Sequence, residues 1–434
     1  MIAEARCHLS PGYCMMRWRR TAVLVAILVS LLFTLQGEST PPARAFNIQL
    51  EMLVAGREFN LGGWVIGALG NKVEAQITQP ACGLDNAHAT ALVRAYLRDA
   101  NRIGELEDQL TRAFSLSKEA ATQPETLSIR EELAQLRREQ DARRPEVEAI
   151  LERQVSAVLA AEGLTTLGIV WPPVKFHFSE PPLYLIVSPR EIISLKAGLH
   201  LRPDLDVAQR EEMESMVDSR LGVSSLIEDL GGFGVYPAMI LDHADLAWIL
   251  STIVHEWVHN HMAFRPLGWH YFDSSEMTTL NETVASIVGD EIGARVLATY
   301  YPDLMPPPTP RADAVPAPRA APAFDFAATM RETRLRVDEL LKEGKVEKAE
   351  AYMEAQRQLF VAHGYPIRKL NQAYFAFHGS YATGPGAVDP IGPKLKRLRQ
   401  ASPSLKAFFD VAGSFTSIAD LDRALTEIEG SKRP

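Results

Sequence analysis

The stretch Thr252-Ile253-Val254-His255-Glu256-Trp257-Val258-His259-Asn260-His261 constrains this chain most, because it sets H-E-x-x-H inside a helical pattern. Leu246, Leu250, Ile253 and Trp257 recur at helical spacing and form one apolar stripe. Asp242 reads as the N-cap, and Pro266 supplies a stop beyond the far end. On such a helix His255 and His259 are one turn apart and project from the face opposite the stripe, as two zinc ligands must. Glu256 lies beside them, free to act as general base on a water that the metal activates. The bland alternative is a solvated helix face. Ile249, Val254 and Val258 weaken it, since a helix apolar over so wide an arc is largely buried. Two histidines and a glutamate on the remaining face then need a partner, and a metal is the simplest one.

Zinc needs a third protein ligand. Glu282 is the leading candidate, in Thr279-Leu280-Asn281-Glu282-Thr283-Val284-Ala285-Ser286 on the next predicted helix. It has a competing role as the back-reaching acid of a capping box with Thr279. Its helix face, however, carries Ser286, Gly289 and Gly293 with Ala285 adjacent, and small side chains let two helices approach closely. Ligation is the reading that also accounts for the glycines. His261, His270, Asp273 and Glu276 are the other candidates. The longer H-E-x-x-H-x-x-G-x-x-H arrangement fails at Met262 and Arg265. His261, two residues past His259, is expected to be a supporting or surface residue. For stabilising an oxyanion, Tyr374, His378 and Tyr381 share a helical face, with Tyr381 preferred. Packed aromatics with one satisfied histidine explain that cluster equally well.

With 434 residues and 47% hydrophobic content the chain can bury a sizeable core, and a net charge of −9 argues against a nucleic-acid surface. Arg17, Arg19 and Arg20 precede an apolar run from Ala22 to Leu35 that is short for a span needing about 20 residues. Ala43-Arg44-Ala45 offers small residues for cleavage before Phe46. A cleaved signal peptide and an uncleaved membrane anchor both fit residues 1–45, and either places the bulk of the chain outside the cytoplasm. Cys7 and Cys14 precede the run, which leaves Cys82 alone in the exported part. That excludes an intramolecular disulfide framework and a cysteine zinc site there.

The texture predicts a predominantly helical α+β fold. Residues 46–165 read as helical, with a glycine-containing segment at 46–72 that suits a buried helix or a membrane surface. Two or three long helices follow between Ala87 and Leu164, their charge runs read as solvated faces. Strands are expected at 174–178, 183–187, 192–201 and 231–241, with a helix at 207–221. This small sheet would pack on the H-E-x-x-H helix within a core spanning 166–300, and its last strand would suit an extended substrate. A Pro/Ala-rich linker at 301–323 leads to a helical C-terminal lobe, 324–434, interrupted by a Gly/Pro-rich loop from Thr383 to Pro393.

H-E-x-x-H with an Asn281-Glu282 pair on the following helix resembles the gluzincin metallopeptidases. More narrowly, His255 to Gly289 resembles a bacterial family classed as zinc aminopeptidases, over about residues 235–300 with echoes in 46–75 and 365–428. The resemblance implies a zincin-like core with His255, His259 and Glu282 as zinc ligands and Glu256 as base. It also implies a peptide or protein substrate. Two departures stand out. The G-x-M-E-N element that holds a substrate amino group is absent from Gly231–Leu241, which leaves exopeptidase against endopeptidase action open. The position four residues after the ligand Glu holds Ser286 where thermolysin-like enzymes have an Asp, so another group must orient a histidine; Asp290 is the candidate. The rival expectation is a membrane-tethered, non-catalytic envelope protein with a structural zinc site, though structural zinc usually has four protein ligands.

Overall fold

The computed structural model of the protein describes residues 41–78, 85–116, 123–305, 324–379, 388 and 390–430. The first unit, residues 1–53, contributes helix α1 (Pro41–Leu53), where two prolines occupy a first turn whose N–H groups have no helical acceptor anyway. The apolar run from Ala22 to Leu35 lies outside the described residues, and the expected cleavage point before Phe46 falls within α1. Among the described residues no helix is long and apolar enough to cross a membrane.

The second unit, residues 54–434, begins with α2 (Leu61–Thr78), α3 (Asn86–Leu116) and α4 (Pro124–Ala161). The expected break at Gln123-Pro124 is present, with Pro124 opening α4. Helices α3 and α4 run antiparallel and are laced by Arg143–Asp99 and Arg137–Glu107 pairs. Their charge pattern is only partly a solvated face: Gln140, Glu148, Glu152 and Gln154 are buried.

Strands β1 (Phe176–Phe178), β2 (Leu183–Pro189) and β3 (Ala197–Leu201) follow, then α5 (Val207–Leu221). Helix α5 is bounded as its sequence dictates, by an Asp206/Gln209 capping box and by Gly222 in the left-handed region at φ 62°. Next come β4 (Val223–Glu228), β5 (Gly232–Phe233) and β6 (Ala238–Ile240). The expected single sheet is two. One is antiparallel, in the order β3-β2-β4; the other is mixed, in the order β1-β6-β5. Strand β4 was not foreseen, because Ser224 and Ser225 interrupt its apolar run, yet both serines are buried. The single strand expected over 231–241 folds back on itself, pairing Gly232 with Ile240 and Phe233 with Met239. Gly234 and Pro237 lie in the turn and end the regular strand there.

The outer edge of β1 is completed by a helix. Glu148 accepts from the Phe178 N–H at 2.8 Å and Glu152 from the Phe176 N–H at 3.3 Å. The match is geometric: four residues of helix rise about 6 Å and two residues of strand about 6.6 Å. Lys72 of α2 reaches both carboxylates, at 2.5 and 2.7 Å, while Lys175 pairs with Glu152 and His177 Nδ1 lies 2.9 Å from Glu148. Burial alone would push the Glu148 carboxyl up, but Lys72 and then His177 outweigh it and hold the pKa below its ordinary value.

Helix α6 (Leu246–Met262) carries the motif, and its N-cap is Asp245, which accepts from the Trp248 N–H at 3.0 Å. Asp242, the expected cap, instead accepts from Tyr96 Oη at 2.9 Å and Gln140 Nε2 at 3.0 Å. Pro266 ends the helical run by opening a short helix, α7 (Pro266–Trp269), before α8 (Ser275–Tyr300). Helices α9 (Phe326–Lys342), α10 (Val346–Ala362) and α11 (Gln372–His378) gather on a smaller core of Met330, Val337, Met353, Phe360 and Phe375. Helices α12 (Ile391–Ala401), α13 (Leu405–Ala412) and α14 (Ile418–Gly430) join the main core instead. That core runs from Val93 and Ile150 through Ile253, Val284 and Val288 to Leu395 and Phe408, so it spans the expected division at residue 165. Most of the expected linker and of the Gly/Pro-rich loop lies outside the described residues. The fold is α+β and mainly helical, with the two small sheets set between the long helices of the sequence.

Candidate metal centre

Two glycines bring α6 and α8 together. A Cβ on Gly289 would lie 2.9 Å from the Ser251 carbonyl oxygen, and one on Gly293 only 2.8 Å from the Ser251 nitrogen. Both obstacles are backbone, which cannot swing away. Gly293→Ala is therefore expected to lower the unfolding free energy by about 1–3 kcal/mol. On α2, a Cβ at Gly67 meets nothing within 4 Å, so Gly67→Ala should be neutral or mildly stabilising in the same denaturant titration. Equal effects of the two substitutions would refute close helix approach as the function of Gly293.

The approach sets three side chains around one point. His255 Nε2 and His259 Nε2 are 3.0 Å apart, and Glu282 Oε2 lies 3.3 Å from the first and 3.6 Å from the second. The competing role of Glu282 as a cap is removed by the helix boundary. The N-cap of α8 is Ser274, and Thr279 sits inside the helix with its carbonyl accepting from Thr283 Oγ1 at 2.6 Å.

Neighbouring groups fix the orientation of these side chains. Asn281 Oδ1 accepts from His259 Nδ1 at 3.0 Å, which fixes the ring with its other nitrogen, Nε2, facing Glu282. The Asn281 amide is itself steadied by its NH2 donating to the Leu267 carbonyl at 3.4 Å. Tyr271 Oη donates to Glu282 Oε1 at 2.5 Å. The second carboxylate oxygen, Oε2, is buried without a hydrogen-bond partner. A buried anionic oxygen facing two imidazole nitrogens is the donor set of a divalent cation, and His255, His259 and Glu282 form a group that could hold one. Burial opposes a positive charge on His259, but Glu282 more than offsets it and raises the imidazole pKa to about 9. The pocket attracts a cation.

Glu256 is buried beside this group. The glycine-rich entry to β5 makes room for it: a Cβ on Gly232 would fall 2.5 Å from Glu256 Oε1, and one on Gly234 would fall 3.1 Å from Oε2. Burial raises its pKa, against the pull of His255 and His259. Phe233, between those glycines, packs against His200 with ring centres 4.3 Å apart and the rings tilted by 37°, and His200 stacks on Tyr184 at 4.9 Å. This aromatic shelf was not legible in the sequence, since its members come from β2, β3 and β5.

The remaining candidates fall elsewhere. His261 is neither a surface nor a supporting residue of the centre. It is buried between Trp257 and Phe409 and hydrogen-bonds the Trp171 carbonyl at 2.7 Å. His270 pairs with Asp273 at 2.6 Å on the exposed connection, and Glu276 lies in the exposed first turn of α8. Asp290 accepts from Ser251 Oγ at 2.8 Å, so the group that orients a histidine is Asn281. Tyr374 packs against both the α9–α11 core and the antiparallel sheet, with the His378 ring tilted against it at 4.2 Å. Tyr381 lies outside the described residues.

No relative emerges by comparison. No family model matches the chain, and no curated protein or solved structure matches it. What can be said of function rests on the site itself.

Proposed function

We propose that this protein is a zinc-dependent hydrolase of peptide bonds. The observation that carries this reading is Glu282 Oε2, buried without a hydrogen bond and facing the Nε2 atoms of His255 and His259. These three residues would hold the ion. Zinc so held acts as a Lewis acid on a carbonyl and lowers the pKa of a water molecule. Glu256 takes the proton of the attacking water and delivers it to the leaving amine, and its burial supports that role by favouring protonation at the midpoint of the cycle. Gly232 and Gly234 pass over Glu256, and β5 is the edge of its sheet among the described residues. An extended peptide paired along that edge brings its scissile carbonyl above the base. The sheet, the H-E-x-x-H helix and the following Glu-bearing helix together fit a zincin-like core of the gluzincin kind. The basic and apolar N-terminal pattern supports an activity outside the cytoplasm, after export or on a membrane anchor.

The test is metal content and turnover of the full chain. About one zinc per chain is expected, together with hydrolysis of a mixed peptide library that stops on chelation and returns with zinc. Stoichiometric zinc without turnover under these conditions would favour the structural-site reading and overturn this one.

A further inference from the structure

The connection between α6 and α8, which carries the short helix α7, is pinned at several points. Gly268 packs so tightly on the end of α6 that a Cβ there would lie 2.0 Å from the Met262 carbonyl oxygen. Trp269 Nε1 donates to the Ala263 carbonyl at 3.0 Å, and Thr278 Oγ1 donates to the Tyr271 carbonyl at 2.7 Å. The result is a fixed place for Tyr271. Its hydroxyl donates to Glu282 Oε1 at 2.5 Å, and its ring stands edge-on to His259 with centres 6.1 Å apart.

Resting on the zinc reading above, we infer that Tyr271 is a positioning residue that holds Glu282 to ligation through one oxygen. A carboxylate can offer a metal one oxygen or both. Here Oε1 is engaged by the phenol while Oε2 is left toward the two imidazole nitrogens. The hydroxyl also removes the choice of rotamer, since turning the carboxylate would break a short, charge-assisted hydrogen bond. Single-oxygen ligation keeps room on the metal for a water and a substrate carbonyl, which a chelating carboxylate would crowd.

The experiment compares Tyr271→Phe with Trp269→Phe in the full chain. Trp269→Phe removes a hydrogen bond from the same loop without touching Glu282. Zinc affinity is read by chelator competition, coordination by the visible spectrum of the cobalt(II)-loaded protein, and fold by unfolding of the metal-free chain. Tyr271→Phe should weaken zinc roughly 10- to 100-fold. Its cobalt spectrum should lose intensity as the freed oxygen joins the metal, with metal-free unfolding unchanged. Trp269→Phe should leave affinity and spectrum as in the wild type. An unchanged affinity and spectrum in Tyr271→Phe would overturn the assignment. So would an equal loss in both variants, or a loss matched by a fall in metal-free stability, because each would mean loop stability alone. Failure of the wild type to bind either metal would sink the zinc reading itself, a different outcome.

Discussion

Glu256→Gln should cut peptide hydrolysis by roughly 10²- to 10⁴-fold, with zinc content unchanged. The amide has nearly the same shape as the carboxylate, so it fits the space left by Gly232 and Gly234. It cannot accept the proton of an attacking water at any working pH. Glu256 is outside the three-residue group that could hold a metal, so zinc should remain. Metal analysis and steady-state turnover on the same preparation separate the possibilities. Full activity in the variant would sink the assigned base. Loss of zinc would instead show that Glu256 is a ligand.

Lys72→Met should destabilise the fold by about 3–5 kcal/mol, the cost of leaving a buried charge without its partner. Lys72 lies within 2.7 Å of both Glu148 and Glu152, and both acids also accept N–H groups of β1. Neither carboxylate can leave without orphaning the strand edge. The loss should depend on pH, and the sign follows from the direction of the Glu148 shift. In the wild type the folded-state pKa of Glu148 is lowered, so its stabilisation is present above the ordinary value of 4.5 and fades as pH falls through the folded value. Without Lys72, burial dominates and Glu148 is pushed up. The folded variant then binds protons more readily than the unfolded chain and loses stability as pH rises. The gap between wild type and variant should therefore shrink between pH 7 and pH 5 in urea titrations. A gap that is absent, or constant over that range, would show that Lys72 does not carry the buried acids.

These two predictions draw on parts of the molecule that were unequally visible beforehand. The group of His255, His259 and Glu282 that could hold a metal was legible because its elements are local and periodic. H-E-x-x-H is a one-turn relation on a helix, and Ser286, Gly289 and Gly293 recur on the face of Glu282. Periodicity reports which residues share a face, and here that was nearly enough. The Lys72 network was invisible, because Glu148 and Glu152 have the spacing of an ordinary charged helix face. Only the arrival of β1 beside α4 makes them strand partners.

The sequence by itself determined the helices, the pairing of two histidines with a glutamate, and the close approach that lets them meet. Helical geometry relates residues three and four apart, and such relations survive without knowing the fold. Tertiary structure alone decided the support: Asn281 and not Asp290 behind His259, Tyr271 behind Glu282, the folded-back glycine strand above Glu256, and His261 in the core. Each depends on where a loop or a neighbouring strand comes to rest. That is set by packing across the whole core, which no local pattern encodes.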